Sequence, residues 1–102
     1  MKKLVRDNIP EIIASKWEEC EYFIADENSY FNALLAKVLE EAIEVSKSEN
    51  DNELKEEIAD LYEVLDTIIK NKNFSRKEIL EIQTQKREKK WGFEKKIILT
   101  KY

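Results

Sequence analysis

The sequence contains no histidine and only one cysteine, one glycine and one proline in 102 residues. A single thiol, Cys20, excludes an internal disulfide, and without histidine a zinc or haem site of the ordinary type is not expected. We therefore expect a protein of the reducing cytoplasm, in which any bound metal is a hard ion with oxygen ligands. The scarcity of turn residues argues against a β-sandwich or barrel and favours an all-α fold.

Long apolar stretches are also missing, so no membrane span is expected, and the basic start of the chain lacks the apolar core of a secretory signal. The net charge of −4 conceals a division: residues 40–63 contain ten acids, whereas residues 86–96 contain six bases. An acidic centre favours cations and a basic segment favours phosphates. Nucleic-acid binding is not expected, because the basic cluster is short and the overall charge is negative.

Apolar spacing predicts four helices within one domain, residues 1–102. The second has the most regular pattern, and the fourth begins with the Ser75 and Glu78 capping box and has Gly92 as its stop signal. The predicted helices cover residues 10–20, residues 28 or 29 to about 48, the apolar series 54–71, and residues 75–89.

Two short apolar segments do not fit these helices. Residues 21–25 suit an extended connector or a short strand, and residues 96–102 suit a terminal strand or arm. The second and third helices should pack as an antiparallel hairpin. We expect an all-α four-helix bundle built on this hairpin and completed by association into a homodimer or homotetramer. Aromatic side chains at helical spacing usually lie in the core, which is where we expect Trp17, Tyr22 and Phe31.

Acidic residues three positions apart are the main chemical feature of the predicted hairpin. Glu41 with Glu44 and Glu57 with Asp60 form such pairs, but several other i,i+3 acid pairs exist in this chain. Position relative to the apolar stripe separates them. With 100° per residue, Glu41 borders the stripe of the second helix, and Glu44 and Lys37 lie on the same flank.

Glu57 falls inside the apolar stripe of the third helix, with Asp60 beside it. A buried carboxylate must be neutralised, paired or bound to metal, because an unpaired buried charge costs several kcal/mol or more. One interpretation is a Mg²⁺ or Mn²⁺ site formed by four converging carboxylates. The other is an interhelical salt-bridge network, in which Lys37 and neighbouring bases neutralise Glu41 and Glu57.

The order of these acids is Glu40-Glu41-x-x-Glu44, followed by Glu57-x-x-Asp60. This pattern resembles the signature of the all-α nucleoside triphosphate pyrophosphohydrolases, the superfamily of MazG, dimeric dUTPases and phosphoribosyl-ATP pyrophosphohydrolase. Residues 3–13, Lys-Leu-Val-Arg-Asp-Asn-Ile-Pro-Glu-Ile-Ile, and the late Lys-Arg-Glu and Gly-Phe motifs resemble the phosphoribosyl-ATP pyrophosphohydrolase-like branch most closely. Trp91 stands where that branch often has glycine.

The resemblance implies Mg²⁺ coordination by Glu41, Glu44, Glu57 and Asp60, with Mn²⁺ as a substitute and Glu40 as a helper that orients water. The residues expected to contact a nucleotide are Arg6, Lys37, Lys86, Arg87, Lys90 and Trp91. Those on the last helix are equally well interpreted as a solvated basic face.

The implied reaction is attack by water at the α–β junction of a nucleoside triphosphate or phosphoribosyl-ATP-like substrate, giving a monophosphate and pyrophosphate. Catalysis would consist mainly of positioning and charge stabilisation, because the protein supplies no nucleophile of its own. The alternative is a non-catalytic helical interaction or regulatory module, in which the acids only favour solubility.

Overall fold

The computed structural model describes residues 2–102 and contains four α-helices and no strand in that part of the chain. The all-α class is therefore confirmed. The helices are α1 (Ile9–Ser15), α2 (Glu27–Lys47), α3 (Asp51–Asn71) and α4 (Arg76–Lys90).

Side-chain caps fix the starts of the three long helices. The backbone N–H of Ser29 donates to Asp26 at 2.8 Å, so α2 begins slightly earlier than its apolar pattern predicts. Asn50 caps α3 through the N–H of Glu53 at 2.9 Å. Ser75 caps α4 as predicted, accepting from the N–H of Glu78 at 3.2 Å. Each cap satisfies a backbone donor that has no partner inside its helix.

The first helix is shorter than predicted. It ends at Ser15 rather than near residue 20, because Trp17 adopts a left-handed φ of 60° and the N–H of Glu18 turns back to the carbonyl of Ile13 at 3.2 Å. This is the Schellman pattern of helix termination. Trp17 is 97% exposed and Tyr22 is 68% exposed, so the prediction that they lie in the core is wrong, whereas Phe31 is half-buried.

The predicted hairpin is confirmed: α2 and α3 form the one extensively packed helix pair within residues 2–102. The fully packed apolar core is small and consists of Leu34 on α2 and Val64 on α3. The radius of gyration is 17.7 Å, compared with about 13 Å for an ordinary domain of 100 residues. One copy is thus an extended molecule with much of its apolar surface exposed.

The end of α4 differs from the prediction in detail. The helix stops at Lys90, and Trp91 rather than Gly92 supplies the left-handed residue, with φ of 68°. Residues 96–102, a predicted strand or arm, have no regular structure, so the strand is not formed in a single copy. Among the described residues, no helix combines the length and hydropathy that crossing a membrane requires.

Candidate functional site: an acidic cluster on the helical hairpin

The α2–α3 hairpin brings three of the predicted metal ligands together. One carboxylate oxygen from each of Glu41, Glu57 and Asp60 lies within 4.8 Å of the other two. Glu57 and Asp60 are on the same side of α3 because they are three residues apart, and the packing of α2 brings Glu41 to that side. We call these three residues the acidic cluster.

Glu41 is the most buried member of the cluster, with 9% of its surface exposed. Its charge is balanced by Lys37, one turn earlier on α2, whose Nζ lies 3.5 Å from Oε1 of Glu41. Both side chains are largely buried, at 15% and 12% exposure, so the ion pair is only weakly screened by water. The α2 side of the cluster is therefore neutralised internally.

Glu40 lies beside the cluster and shares the same cation. Its Oε1 is 3.2 Å from Nζ of Lys37 and 3.5 Å from Nζ of Lys3. Partial burial by itself would raise the pKa of Glu40, but the hydrogen bonds and charges of Lys37 and Lys3 outweigh it, so the pKa lies below its ordinary value. Glu40 is consequently ionised at neutral pH.

Asp60 is paired with the N-terminal segment. Nη2 of Arg6 donates to Oδ1 of Asp60 at 2.8 Å, across 54 residues of sequence. The arginine side chain is 61% exposed and the aspartate side chain 41% exposed, so the pair contributes at most about 1 kcal/mol to stability. Arg6 is thus at the cluster, as its motif predicts, but weakly held there.

Glu57 has no ion-pair partner within residues 2–102, although it lies between charged neighbours. Its pKa is raised above the ordinary value, first because partial burial disfavours the charged form and then because of the negative charges of Asp60, Glu44, Glu41 and Glu53. The α3 side of the cluster therefore carries a charge that the described part of the chain does not balance.

Glu44 is the predicted ligand that stands apart. It is exposed on α2 and does not belong to the group of three mutually close carboxylates. Its charge still contributes to the raised pKa of Glu57, so it lies on the same side of the hairpin. Glu44 would need a different side-chain conformation or a bridging water to join the other three carboxylates.

The predicted substrate-binding residues on α4 and after it are not brought to the cluster. Lys86, Arg87, Lys90 and Trp91 are all exposed, and no ion pair joins the three bases to an acid in the described residues. Trp91 instead has Nζ of Lys95 over its ring at 4.4 Å. The helix that carries the three bases packs little against the hairpin, which leaves this basic face solvated in a single copy.

The salt-bridge interpretation of the acids holds for Glu41 and Asp60, which have ion-pair partners, but not for Glu57. Lys37 neutralises Glu41, as that interpretation predicts, but it does not pair with Glu57. Lys3 was not among the predicted site residues, yet it contacts Glu40. Lys3 belongs to the same N-terminal motif as Arg6, which could have identified it as a site residue. Both bases contact acids at or beside the cluster.

Comparison of the chain with family models, with curated proteins and with solved structures gives no match in any of the three.

Proposed function

We propose that the protein is a Mg²⁺-dependent nucleotide pyrophosphohydrolase that cleaves the α–β phosphate bond to give a monophosphate and pyrophosphate. The observation that carries the proposal is the unbalanced charge of Glu57 within the acidic cluster. Carboxylates with perturbed pKa values cluster at functional sites, and a cation bound among these acids would relieve the repulsion that Glu57 experiences.

The donor set fits a hard divalent cation. The three carboxylates supply oxygen ligands from two helices, and Mg²⁺ commonly uses one or two protein carboxylates together with water and substrate phosphates. Because the chain has no histidine, it offers few of the ligands that zinc and softer metals prefer, and the oxygen ligands suit Mg²⁺ or Mn²⁺ better. We assign Glu41, Glu57 and Asp60 as the ligands, with Glu44 joining them when the site is loaded.

The basic residues around the cluster have separate roles in this proposal. Arg6 is exposed and pairs with Asp60 at the rim, so it is free to turn from the carboxylate to a phosphate of the substrate. Lys37 is more buried, and its ion pair with Glu41 orients that carboxylate. Glu40, ionised and held by Lys37 and Lys3, accepts a hydrogen bond from the attacking water and orients it.

A bound Mg²⁺ would neutralise negative charge on the phosphate oxygens and lower the pKa of water at the site. The protein itself contributes electrostatic stabilisation of the phosphates through Arg6, and Lys37 contributes by holding Glu40 and Glu41 in position. We include Lys86, Arg87, Lys90 and Trp91 in the substrate site only as residues delivered by a second copy, because α4 is not packed on the hairpin of its own chain.

Exposed apolar residues support assembly into a homodimer or homotetramer. Leu35, Leu39 and Ile43 form a stripe along α2 at intervals of four residues, with exposures of 45%, 67% and 51%. Contiguous apolar surface of this kind marks an interaction site. A second hairpin packed on this stripe would complete the four-helix core that one copy lacks. We propose the reducing cytoplasm as the compartment, on the basis of the single thiol.

The same apolar stripe favours a second candidate, a non-catalytic module that binds a helix of another protein. In that case the acidic cluster is not a cation site, and Mg²⁺ does not change the melting temperature. A metal site predicts a Mg²⁺-dependent rise in melting temperature, because a ligand that binds the folded state stabilises it.

The test is pyrophosphate release from ribo- and deoxynucleoside triphosphates and phosphoribosyl-ATP, with Mg²⁺ or EDTA, by the wild type and by Glu57→Gln. We expect release that EDTA abolishes and that the substitution reduces by at least about 100-fold, as for loss of a group that stabilises transition-state charge. The matched control is Glu56→Gln, at an exposed neighbour on the same helix, which should keep full activity. Equal background release by all three proteins would favour the interaction module.

A further inference from the structure

Two segments of the chain lie outside the packed helices and have unpaired backbone. Within residues 2–102, no hydrogen bond involves the backbone N–H groups of residues 19–25 or 97–102. Both segments carry exposed apolar side chains of the kinds enriched in strands. They include Tyr22, Phe23 and Ile24 in the first segment, and Ile97, Ile98 and Leu99 in the second, each at least 68% exposed.

The two segments have opposite charge. Acids lie on both sides of the first apolar run. We call residues 18–26, which end at the N-cap of α2, the acidic segment; it contains Glu18, Glu19, Glu21 and Asp26 and no base. The second apolar run is flanked by Lys95, Lys96 and Lys101. We call residues 95–102 the basic segment; it contains no acid. The charges that flank the two apolar runs are therefore opposite at both ends.

The acidic segment also borders a cleft that is lined by acidic and uncharged side chains. Together with α1 it lines this shallow, open cleft of about 700 Å³. Four glutamates line this cleft, and the remaining lining residues are uncharged: Pro10, Ala14, Cys20 and Tyr22. The basic segment, in which lysines flank a continuous apolar run, is complementary to such a surface in both charge and polarity.

No ion pair links the two segments within one copy, and α4, which leads to the basic segment, packs little against the rest of the chain. We propose that the basic segment of one copy binds the acidic segment of a second copy, pairing as an added strand beside the cleft. The backbone groups of both segments gain partners, and the lysines of one copy meet the glutamates of the other. This contact is independent of the acidic cluster and of the proposed reaction.

Cys20, the single cysteine, lies in the cleft and provides the probe for a cross-linking test. The wild type is mixed with a size-tagged Cys20→Ser/Leu99→Cys chain and treated with a short bismaleimide. We expect a cross-link between the two chains at least about tenfold faster than with the matched Cys20→Ser/Gln83→Cys chain, because pairing raises the local thiol concentration. Gln83 is exposed on α4, outside both segments.

A charge exchange tests the complementarity. Adding Lys96→Glu and Lys101→Glu to the Leu99→Cys chain should return cross-linking to the rate of the Gln83 control, and pairing that chain with Glu19→Lys/Glu21→Lys should restore it. Equal rates for the Leu99 and Gln83 chains would overturn the proposal. So would a concentration-independent cross-link inside a single chain that keeps Cys20 and carries Leu99→Cys, since this result would mean that the segment docks on its own copy.

Discussion

The two sides of the acidic cluster differ in how their charge is balanced. On α2, Glu40 and Glu41 share Lys37, and Lys3 adds a second cation, so the pKa of Glu40 is lowered. On α3, Glu57 has no cation in the described part of the chain and its pKa is raised. Both sides belong to one hairpin and lie within a few ångströms of each other.

The difference between the two sides is that Glu57, on α3, has no cation beside it among the described residues. A purely structural salt-bridge network would distribute its bases over both helices, because an unbalanced carboxylate near an apolar stripe destabilises the fold. Here the bases pair with Glu40, Glu41 and, at the rim, Asp60, whereas Glu57 has no ion-pair partner in the described part of the chain. The proposed Mg²⁺ would complete the α3 side as Lys37 completes the α2 side.

Removing the internal cation should have the largest effect on stability. In Lys37→Met, Glu41 stays buried without its partner, and we expect the free energy of unfolding to fall by about 1–3 kcal/mol. Urea denaturation in EDTA measures this loss. Mg²⁺ should recover part of it, because the cation then balances Glu41 as well as Glu57.

Lys55→Met is the control for that experiment, since Lys55 is exposed on α3 and has no ion pair among the described residues. It should change the free energy of unfolding by less than about 0.5 kcal/mol. Equal stability of Lys37→Met and Lys55→Met would remove the distinction between the two sides of the cluster.

Arg6→Ala should have an intermediate effect that appears in substrate binding. Because Arg6 is exposed and paired only with Asp60, its loss should barely change stability, but we expect KM to rise about tenfold if it holds a phosphate, corresponding to about 1.4 kcal/mol. The matched control is Arg76→Ala, which removes a similarly exposed pair with Asp66, 3.2 Å long and away from the cluster. The same KM in both variants would exclude Arg6 from the substrate site.

The pH dependence of stability should be the smallest effect, and it should have opposite sign on the two sides. The raised pKa of Glu57 means that the folded state binds this proton more tightly than the unfolded state, so its contribution is favourable at low pH and is lost as pH rises through the folded-state pKa. Glu57→Gln should therefore melt above the wild type at pH 7 in EDTA, and the difference should vanish below about pH 4.

Glu40 should show the reverse. Its lowered pKa stabilises the fold above the ordinary carboxylate pKa, and the contribution is lost as pH falls through the folded-state pKa. Glu40→Gln should melt below the wild type at pH 7 and approach it in acid. Shifts of a few degrees or less are expected, measured by thermal scans from pH 3 to 7, and shifts of the same sign in both variants would contradict the comparison.

Much of the fold follows from the sequence because local signals and packing agree. The apolar spacing of α2 and α3 and the cap at Ser75 predict these helices to within a few residues. The early end of α1 was missed because Trp17 takes a left-handed conformation without the usual glycine. A usable signal was present: Glu18 and Glu19 would have faced the negative end of a longer helix, which disfavours acids there.

The candidate site was predictable only where the spacing of residues along one helix decides which side chains are neighbours. Helical spacing correctly places Glu57 beside Asp60, but Glu57 is only half-buried and the buried acid is Glu41, which was predicted at the border of the apolar stripe. The packing of α2 on α3 turns Glu41 inward and leaves Glu44 exposed, and the spacing within one helix does not predict it. The contacts of Lys3 and Arg6 join residues far apart in sequence; the N-terminal motif indicates that Arg6 belongs to the site, but helical spacing does not predict which acid each base contacts. The helix α4 and the segment after it pack little against the hairpin, so the apolar pattern of the hairpin does not predict where they lie.

The most direct test of the unbalanced charge is Mn²⁺ binding followed by electron paramagnetic resonance, with Mg²⁺ as competitor, in the wild type, Glu57→Gln and Glu56→Gln. We predict saturable binding by the wild type and by Glu56→Gln that Mg²⁺ displaces, and a loss of affinity of at least about tenfold in Glu57→Gln, comparable to losing a group that supports a metal site. Equal affinity in all three proteins, or no saturable binding in any, would contradict the assignment of Glu57 as the carboxylate that awaits a cation.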